Sequence, residues 1–231
     1  MKKNRSVFLV LLVTMFLGEL SYAQDWPGFN RYRNENEKIG LPVSGENRVV
    51  FMGNSITDGW STARPDFFAG KPYINRGISG QTTPQMLVRF RADVIKLKPR
   101  VVVILAGTND IAGNTGPSTL EMIEDNIISM AQLAKANGIK VIICSILPVI
   151  DYPWKPGIEP ADKIIALNKK LKLDAEQSGM IYLDLHSALV DDQKGMKAMY
   201  SGDGVHPNID GYKVMEPLVE NAISKALRQV K

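Results

Sequence analysis

Residues 101–105 read Val101-Val102-Val103-Ile104-Leu105, five apolar side chains in a row with no polar residue between them. A strand with one face in water alternates apolar and polar residues, whereas a strand buried on both faces stays apolar throughout. Covering both faces of a sheet requires helices on each side of it. The stretch therefore predicts a central strand of a parallel sheet between two layers of helices.

Apolar runs of strand length alternate with longer helical stretches on either side of this segment. The runs lie at residues 48–52, 73–75, 101–106, 140–146 and 181–185, and the helical stretches at 84–98, 120–137, 161–178 and about 208–227. This alternation is typical of an α/β fold. Pro217 falls inside the last stretch and predicts either irregular first turns or a kink there.

The N-terminus has the pattern of a secretory signal peptide. Basic residues precede an apolar run at 7–17, and Ser21 and Ala23 stand where a signal peptidase cuts. A membrane anchor needs about 20 apolar residues, and this run is shorter. We expect a signal peptide at 1–23, a polar N-terminal extension at 24–47 and one domain at 48–231. The mature chain should then be secreted or periplasmic, with no membrane span.

Charge and cysteine content exclude several classes of partner and cofactor. Removal of residues 1–23 lowers the formal charge from +4 to +2. This small positive charge does not indicate a surface that binds nucleic acid. Cys144 lies in an apolar run and is expected to be a buried thiol, so no disulfide forms within the chain. With two histidines, one cysteine and no clustered carboxylates, we expect no metal site.

Chemically useful residues follow the ends of the predicted strands, where ligands of open parallel sheets bind. Ser55 follows the first strand, Gly80 the second and Asn109 the third, and Asp203 and His206 follow the fifth. Acyl transfer needs a nucleophile, a base, a group that orients the base, and donors for an oxyanion. Ser55 fits the nucleophile, His206 the base and Asp203 the orienting carboxylate. The backbone N–H groups of Ser55 and Gly80 and the side chain of Asn109 fit the donors.

These segments resemble the conserved blocks of the SGNH hydrolases, also called the GDSL esterase and lipase family, and are similar to its platelet-activating factor acetylhydrolase-like members. The family's four signature residues would be Ser55, Gly80, Asn109 and His206, with Asp203 completing the triad. The resemblance covers about residues 48–227. It implies a flavodoxin-like three-layer α/β/α sandwich with a five-stranded parallel sheet of order 2-1-3-4-5.

Three positions leave a choice between a chemical role and a structural one. Asn54 stands where the family has Asp, and we expect it to stabilise the turn. His186 is the other histidine, but it lacks a carboxylate three residues before it, which favours His206 as the base. Gly77 is expected to serve turn geometry alone.

A proline-rich loop at residues 148–160 leaves the fourth strand on the same side as these residues. Such loops commonly form pocket walls. Tyr152 and Trp154 either contact the substrate, by stacking on a sugar or bordering an acyl pocket, or anchor the loop to the body. The sequence does not decide between these two roles.

The expected activity is hydrolysis of a small-molecule or glycan ester, with no cofactor. Resemblance to short-chain members of the family favours an acetyl group, for example on an O-acetylated glycan. Two alternatives stay open, a lysophospholipase or long-chain acyl esterase, and a glycan-binding module that has lost turnover. The sequence says nothing about the oligomeric state.

Overall fold

The computed structural model describes residues 25–228, and the predicted signal peptide lies outside these residues. Five parallel strands form one sheet in the order β2-β1-β3-β4-β5. Their bounds are β1 Val49–Gly53, β2 Tyr73–Gly77, β3 Val101–Leu105, β4 Lys140–Cys144 and β5 Ile181–Leu183. This confirms the predicted fold class and strand order, with β3 in the middle of the sheet.

Helices cover both faces of the sheet. Their bounds are α1 Phe29–Ile39, α2 Ser55–Ala63, α3 Pro65–Phe68, α4 Thr83–Asp93, α5 Thr108–Ile111, α6 Leu120–Ala136, α7 Ala161–Gln177, α8 His186–Leu189 and α9 Ile209–Arg228. Within residues 25–228, no helix combines the length and apolar character needed to cross a membrane.

Alternate residues of the central strands pack into two separate hydrophobic cores, one on each face of the sheet. This explains why these strands are apolar throughout. Val102 and Ile104 of β3 pack with α4, α6 and α7 on one face. Val101 and Val103 pack with α2 and α9 on the other. Cys144 is buried in the second core as a free thiol, as expected.

Three local features differ from, or refine, the sequence prediction. The predicted helix at 84–98 ends as an α-helix at Asp93, and a 3₁₀ turn at Ile95–Leu97 completes it. Helix α9 continues through Pro217 as a single 20-residue helix. Gly77 ends β2 and has no left-handed φ, so it is not a turn glycine. A Cβ there would collide with the backbone of Asp58, and this close approach of α2 is what requires glycine.

The polar segment before β1 is folded onto the domain. Helix α1 begins where both Asp25 carboxylate oxygens accept hydrogen bonds from the backbone N–H groups of Phe29 and Asn30. Its Tyr32 is buried and donates a hydrogen bond to the carbonyl oxygen of Gly77. The segment therefore contacts the end of β2, from which the loop carrying Gly80 departs.

Candidate active site

Ser55 is the first residue of α2 and stands two residues after the end of β1. The side-chain oxygen of Asn54 accepts a hydrogen bond from the N–H of Ile56 at 3.1 Å and caps the helix, which is the turn-stabilising role expected for Asn54. The N-terminus of a helix carries a partial positive charge that favours negative charge beside it. Negative charge that develops on an oxygen atom beside Ser55 would therefore be stabilised by the N-terminus of α2.

The structure brings Ser55 and His206 together from opposite ends of the chain. Ser55 Oγ lies 2.8 Å from His206 Nε2, and Asp203 Oδ2 lies 2.7 Å from His206 Nδ1. The hydroxyl, the imidazole and the carboxylate form one hydrogen-bonded chain. In this arrangement the imidazole can take the hydroxyl proton while the carboxylate fixes the ring.

Asp203 is held by its own turn as well as by the histidine ring. Its Oδ1 accepts hydrogen bonds from the backbone N–H groups of Val205 at 2.9 Å and His206 at 2.8 Å. Partial burial raises the pKa of Asp203, but these bonds and the imidazole outweigh it and lower the pKa to about 2. The carboxylate is therefore ionised at neutral pH and oriented toward Nδ1.

Three N–H donors follow the carboxyl ends of β1, β2 and β3: those of Ser55 at the start of α2, of Gly80 in the loop after β2 and of Asn109 in α5. The hydrogen bonds among residues 25–228 leave the backbone N–H groups of Ser55 and Gly80 without an acceptor. Asn109 is buried, and its Nδ2 donates one hydrogen to the carbonyl oxygen of Gln81 at 3.0 Å, which leaves the second for another acceptor. Gly80 adopts φ +80°, a conformation that favours glycine. Free donors of this kind can bind a developing oxyanion.

The two aromatic residues of the 148–160 loop have different environments. Tyr152 is fully buried, and its hydroxyl donates to the carbonyl oxygen of Thr108 at 2.9 Å. Of the two roles that the sequence left open for Tyr152, the structure supports the anchoring of the loop and contradicts contact with the substrate. Trp154 is 45% exposed, and its ring centroid lies 6.2 Å from that of His206. Only Trp154 of the pair is available to a ligand.

The second histidine occupies a different environment. The backbone N–H of His186 donates to Ser145 Oγ at 2.8 Å, and the nearby Asp184 carboxylate accepts hydrogen bonds from Ser187. His206 is thus the histidine that contacts Ser55. In the part of the chain from residue 25 to 228, no cluster of three or more His, Cys, Asp or Glu side chains could hold a metal ion.

A buried polar cluster that was not predicted from the sequence lies beneath these loops. Arg89 is fully buried in α4, where it bonds Asp93, the side chain of Gln81 and the carbonyl oxygen of Gly53. A signal was present in the sequence, because Arg89 and Asp93 stand four residues apart among apolar residues of the same helix. Their partners are distant in sequence and could not be identified from it.

Known proteins share both the sequence pattern and the fold of this chain. The model of the GDSL-like lipase/acylhydrolase family matches residues 51–214. The crystal structure of a GDSL-like lipase from Bacteroides thetaiotaomicron VPI-5482 is 47% identical, with a TM-score of 0.85, and the match covers 87% of this chain and 99% of that chain.

Curated esterases are similar over most of the chain. An acetylxylan esterase of Xylanibacter ruminicola is 30% identical over 223 residues, which cover 81% of this chain but only 45% of that protein, so the chain spans less than half of its length. Esterase TesA of Pseudomonas aeruginosa is 29% identical over 176 residues, covering 72% of this chain and 79% of the relative. The chain belongs to the GDSL-like lipase/acylhydrolase family and is a carboxylic ester hydrolase.

Proposed function

We propose that the protein is an exported serine esterase that removes short acyl groups, above all acetyl, from O-acetylated glycans. The observation that carries the serine mechanism is the contact chain from Ser55 through His206 to Asp203, with separations of 2.8 and 2.7 Å. Export follows from the proposed signal peptide at 1–23, with the extension at 24–47 and the hydrolase domain at 48–231 in the mature chain.

The first half of the reaction forms an acyl-enzyme. Ser55 Oγ attacks the ester carbonyl carbon while His206 Nε2 takes the hydroxyl proton, and Asp203 stabilises the resulting imidazolium. The carbonyl oxygen becomes an oxyanion, for which the N–H groups of Ser55, Gly80 and Asn109 are the proposed donors. His206 then gives the proton to the leaving alcohol as the tetrahedral intermediate collapses.

The second half releases the acid by the same groups. Water attacks the acyl-enzyme carbonyl carbon, His206 takes one of its protons, and the same donors hold the second oxyanion. Collapse of this intermediate returns the proton to Ser55 Oγ and frees the carboxylic acid. Every proton transfer in this cycle uses a side chain of this protein or water.

Two observations support an acetylated glycan as the substrate. The Xylanibacter ruminicola relative, 30% identical over 81% of this chain, carries the name acetylxylan esterase. Trp154 presents an indole ring, 45% exposed, beside His206. Because Trp154 Nε1 donates to Asn114 Oδ1 at 3.3 Å, the exposed face of the ring is the part that suits a sugar, on whose apolar face an indole can stack.

The experiment compares initial rates of hydrolysis of p-nitrophenyl acetate, butyrate and octanoate by the chain from Gln24 and by its Ser55→Ala variant. We expect the highest kcat/KM for acetate and a loss of about 10³-fold or more in kcat in the variant. Rates that rise toward octanoate would instead identify a long-chain acyl esterase. Rates unaffected by Ser55→Ala would refute the serine mechanism.

A further inference from the structure

Gln81 follows Gly80 directly, and each polar group of its backbone and side chain takes part in a hydrogen bond. Its carbonyl oxygen accepts the bond from Asn109 Nδ2 at 3.0 Å, and its N–H donates to the carbonyl oxygen of Ile78 at 3.3 Å. In its buried side chain, Nε2 donates to the carbonyl oxygen of Pro27 at 2.7 Å, and Oε1 accepts from Arg89 Nε at 2.6 Å. One residue thus joins the loop that carries Gly80, and the helix α5 that carries Asn109, to the protein interior.

Arg89 extends this connection to the loop of the nucleophile. Its Nη2 donates to the carbonyl oxygen of Gly53 at 3.1 Å and to that of Arg76 at 2.9 Å. Gly53 ends β1 two residues before Ser55. The planar guanidinium therefore holds the ends of β1 and β2 and the side chain of Gln81 at fixed relative positions.

The guanidinium is itself fixed from the other side. Its Nη1 bonds Asp93 Oδ2 at 2.9 Å, and both side chains are almost completely buried. Asp93 Oδ1 accepts a further bond from Asn36 Nδ2 of α1 at 2.7 Å. A buried, fully bonded charge pair of this kind resists displacement, because moving either partner would leave an uncompensated charge in the interior.

We propose that Gln81 is a positioning residue for the oxyanion donors, and that it acts by transmitting the fixed geometry of the Arg89–Asp93 pair to Asn109. The inference rests on the proposed serine mechanism, because oxyanion donors matter only to acyl transfer. By engaging one hydrogen of the Asn109 amide, the Gln81 carbonyl sets the direction of the other. Donors of this kind stabilise a transition state only when they are held in place beforehand.

The first test replaces the side chain of Gln81 by one of similar size without hydrogen bonds. Gln81→Met should lower kcat for p-nitrophenyl acetate by roughly 10-fold and leave KM within about 2-fold, because the donors act on the transition state. An unchanged kcat in the folded variant would overturn the proposal.

The second test asks whether Gln81 acts through Asn109. In the Asn109→Ala background, Gln81→Met should cost less than about 2-fold in kcat, since the amide it positions is already gone. Full additivity of the two losses would overturn the proposal. If Gln81→Met does not fold, the same cycle is run with Gln81→Ala, which also loses the bonds to Arg89 and Pro27 but places no long apolar side chain against the guanidinium. Full additivity in that cycle would overturn the proposal as well.

A matched control removes another buried amide. Asn168 of α7 holds the Ile146 backbone through two bonds, at 2.7 Å to the N–H and 2.9 Å to the carbonyl oxygen. Asn168→Leu should lower the Tm and leave kcat near the parental value. An equal loss of kcat in this control would make the effect of Gln81 a general consequence of destabilisation and would overturn its positioning role. Loss of activity in these variants bears on the proposal only once the parent requires Ser55.

Discussion

Asp203 Oδ2 lies 2.7 Å from His206 Nδ1, on the edge of the ring opposite to the one that meets Ser55. The backbone N–H of His206 also donates to the other oxygen of the same carboxylate at 2.8 Å. Asp203 therefore holds His206 at its ring and at its main chain. The four-residue turn from Asp203 to His206 thus orients the imidazole, and Ser201 Oγ supports the turn by donating to the carbonyl oxygen of His206 at 2.8 Å.

Removal of the histidine should cost more than neutralisation of the carboxylate. His206→Ala should lower kcat by roughly 10³-fold or more, because the imidazole that takes the Ser55 proton is gone. Asp203→Asn should lower kcat by a smaller factor, because the imidazole stays in place without its charged partner. Initial rates with p-nitrophenyl acetate measure both losses. Near-parental activity in His206→Ala would show that the base is misassigned.

Loss of the amide donor should affect the chemical step alone. Asn109→Ala should lower kcat by about 10²- to 10³-fold with little change in KM, as for oxyanion donors in other hydrolases. Asn137→Ala is the control, since this exposed asparagine lies at the far end of α6. Steady-state kinetics of both variants decide the role, and a rise in KM at constant kcat would indicate ground-state binding instead.

Two neighbouring glycines should differ sharply in their tolerance of a methyl group. A Cβ at Gly80 would meet no atom within 4 Å, so Gly80→Ala should cost only about 1–2 kcal/mol for its left-handed backbone. A Cβ at Gly77 would overlap the Asp58 backbone, so Gly77→Ala should cost roughly 3 kcal/mol or more. Urea unfolding gives both free energies. Equal losses would contradict the close approach of α2 and β2.

Ionisation of the buried Asp110 should lower the free energy of unfolding as the pH rises. Burial raises the pKa of Asp110 from 3.8 to about 6, although its bonds from Thr83 lower it in part. The folded state then binds the proton more tightly than the unfolded state, and its stability declines between about pH 4 and 6.

The matched variant Asp110→Asn does not titrate, so it isolates this contribution. Between pH 4 and 7, the parent should lose up to about 3 kcal/mol of unfolding free energy relative to Asp110→Asn. Denaturant unfolding at several pH values gives the difference, in which the titration of the other groups cancels. A difference that does not change with pH would contradict the raised pKa.

Trp154 should matter for a glycan substrate and not for a small ester. Trp154→Ala should lower kcat/KM for acetylated xylo-oligosaccharides by roughly 10-fold, which corresponds to about 1.4 kcal/mol of lost contact. Hydrolysis of p-nitrophenyl acetate should stay within about 3-fold of the parent, and Trp154→Phe should restore most of the glycan activity. Equal losses on both substrates would assign Trp154 to the support of His206.

The sequence alone determined the fold class, because the composition of each strand shows whether one or both of its faces are buried. Val101 to Leu105 are apolar at every position, as a strand buried on both faces requires. The sequence also identified Ser55, Asn109 and His206 as candidates, since functional groups of parallel sheets gather after the strand ends. Local spacing was enough to pair Asp203 with His206, because a turn brings together side chains that stand three positions apart.

Only the tertiary structure separated Tyr152 from Trp154, since burial depends on what covers a side chain and not on its type. Tyr152 bonds Thr108, 44 residues away, and Trp154 stays exposed beside His206. The same holds for Arg89, whose partners Gly53, Arg76 and Gln81 come from β1, from β2 and from the loop that follows β2. Sequence periodicity records which face of an element is buried, but contacts between distant segments exist only after the chain has folded.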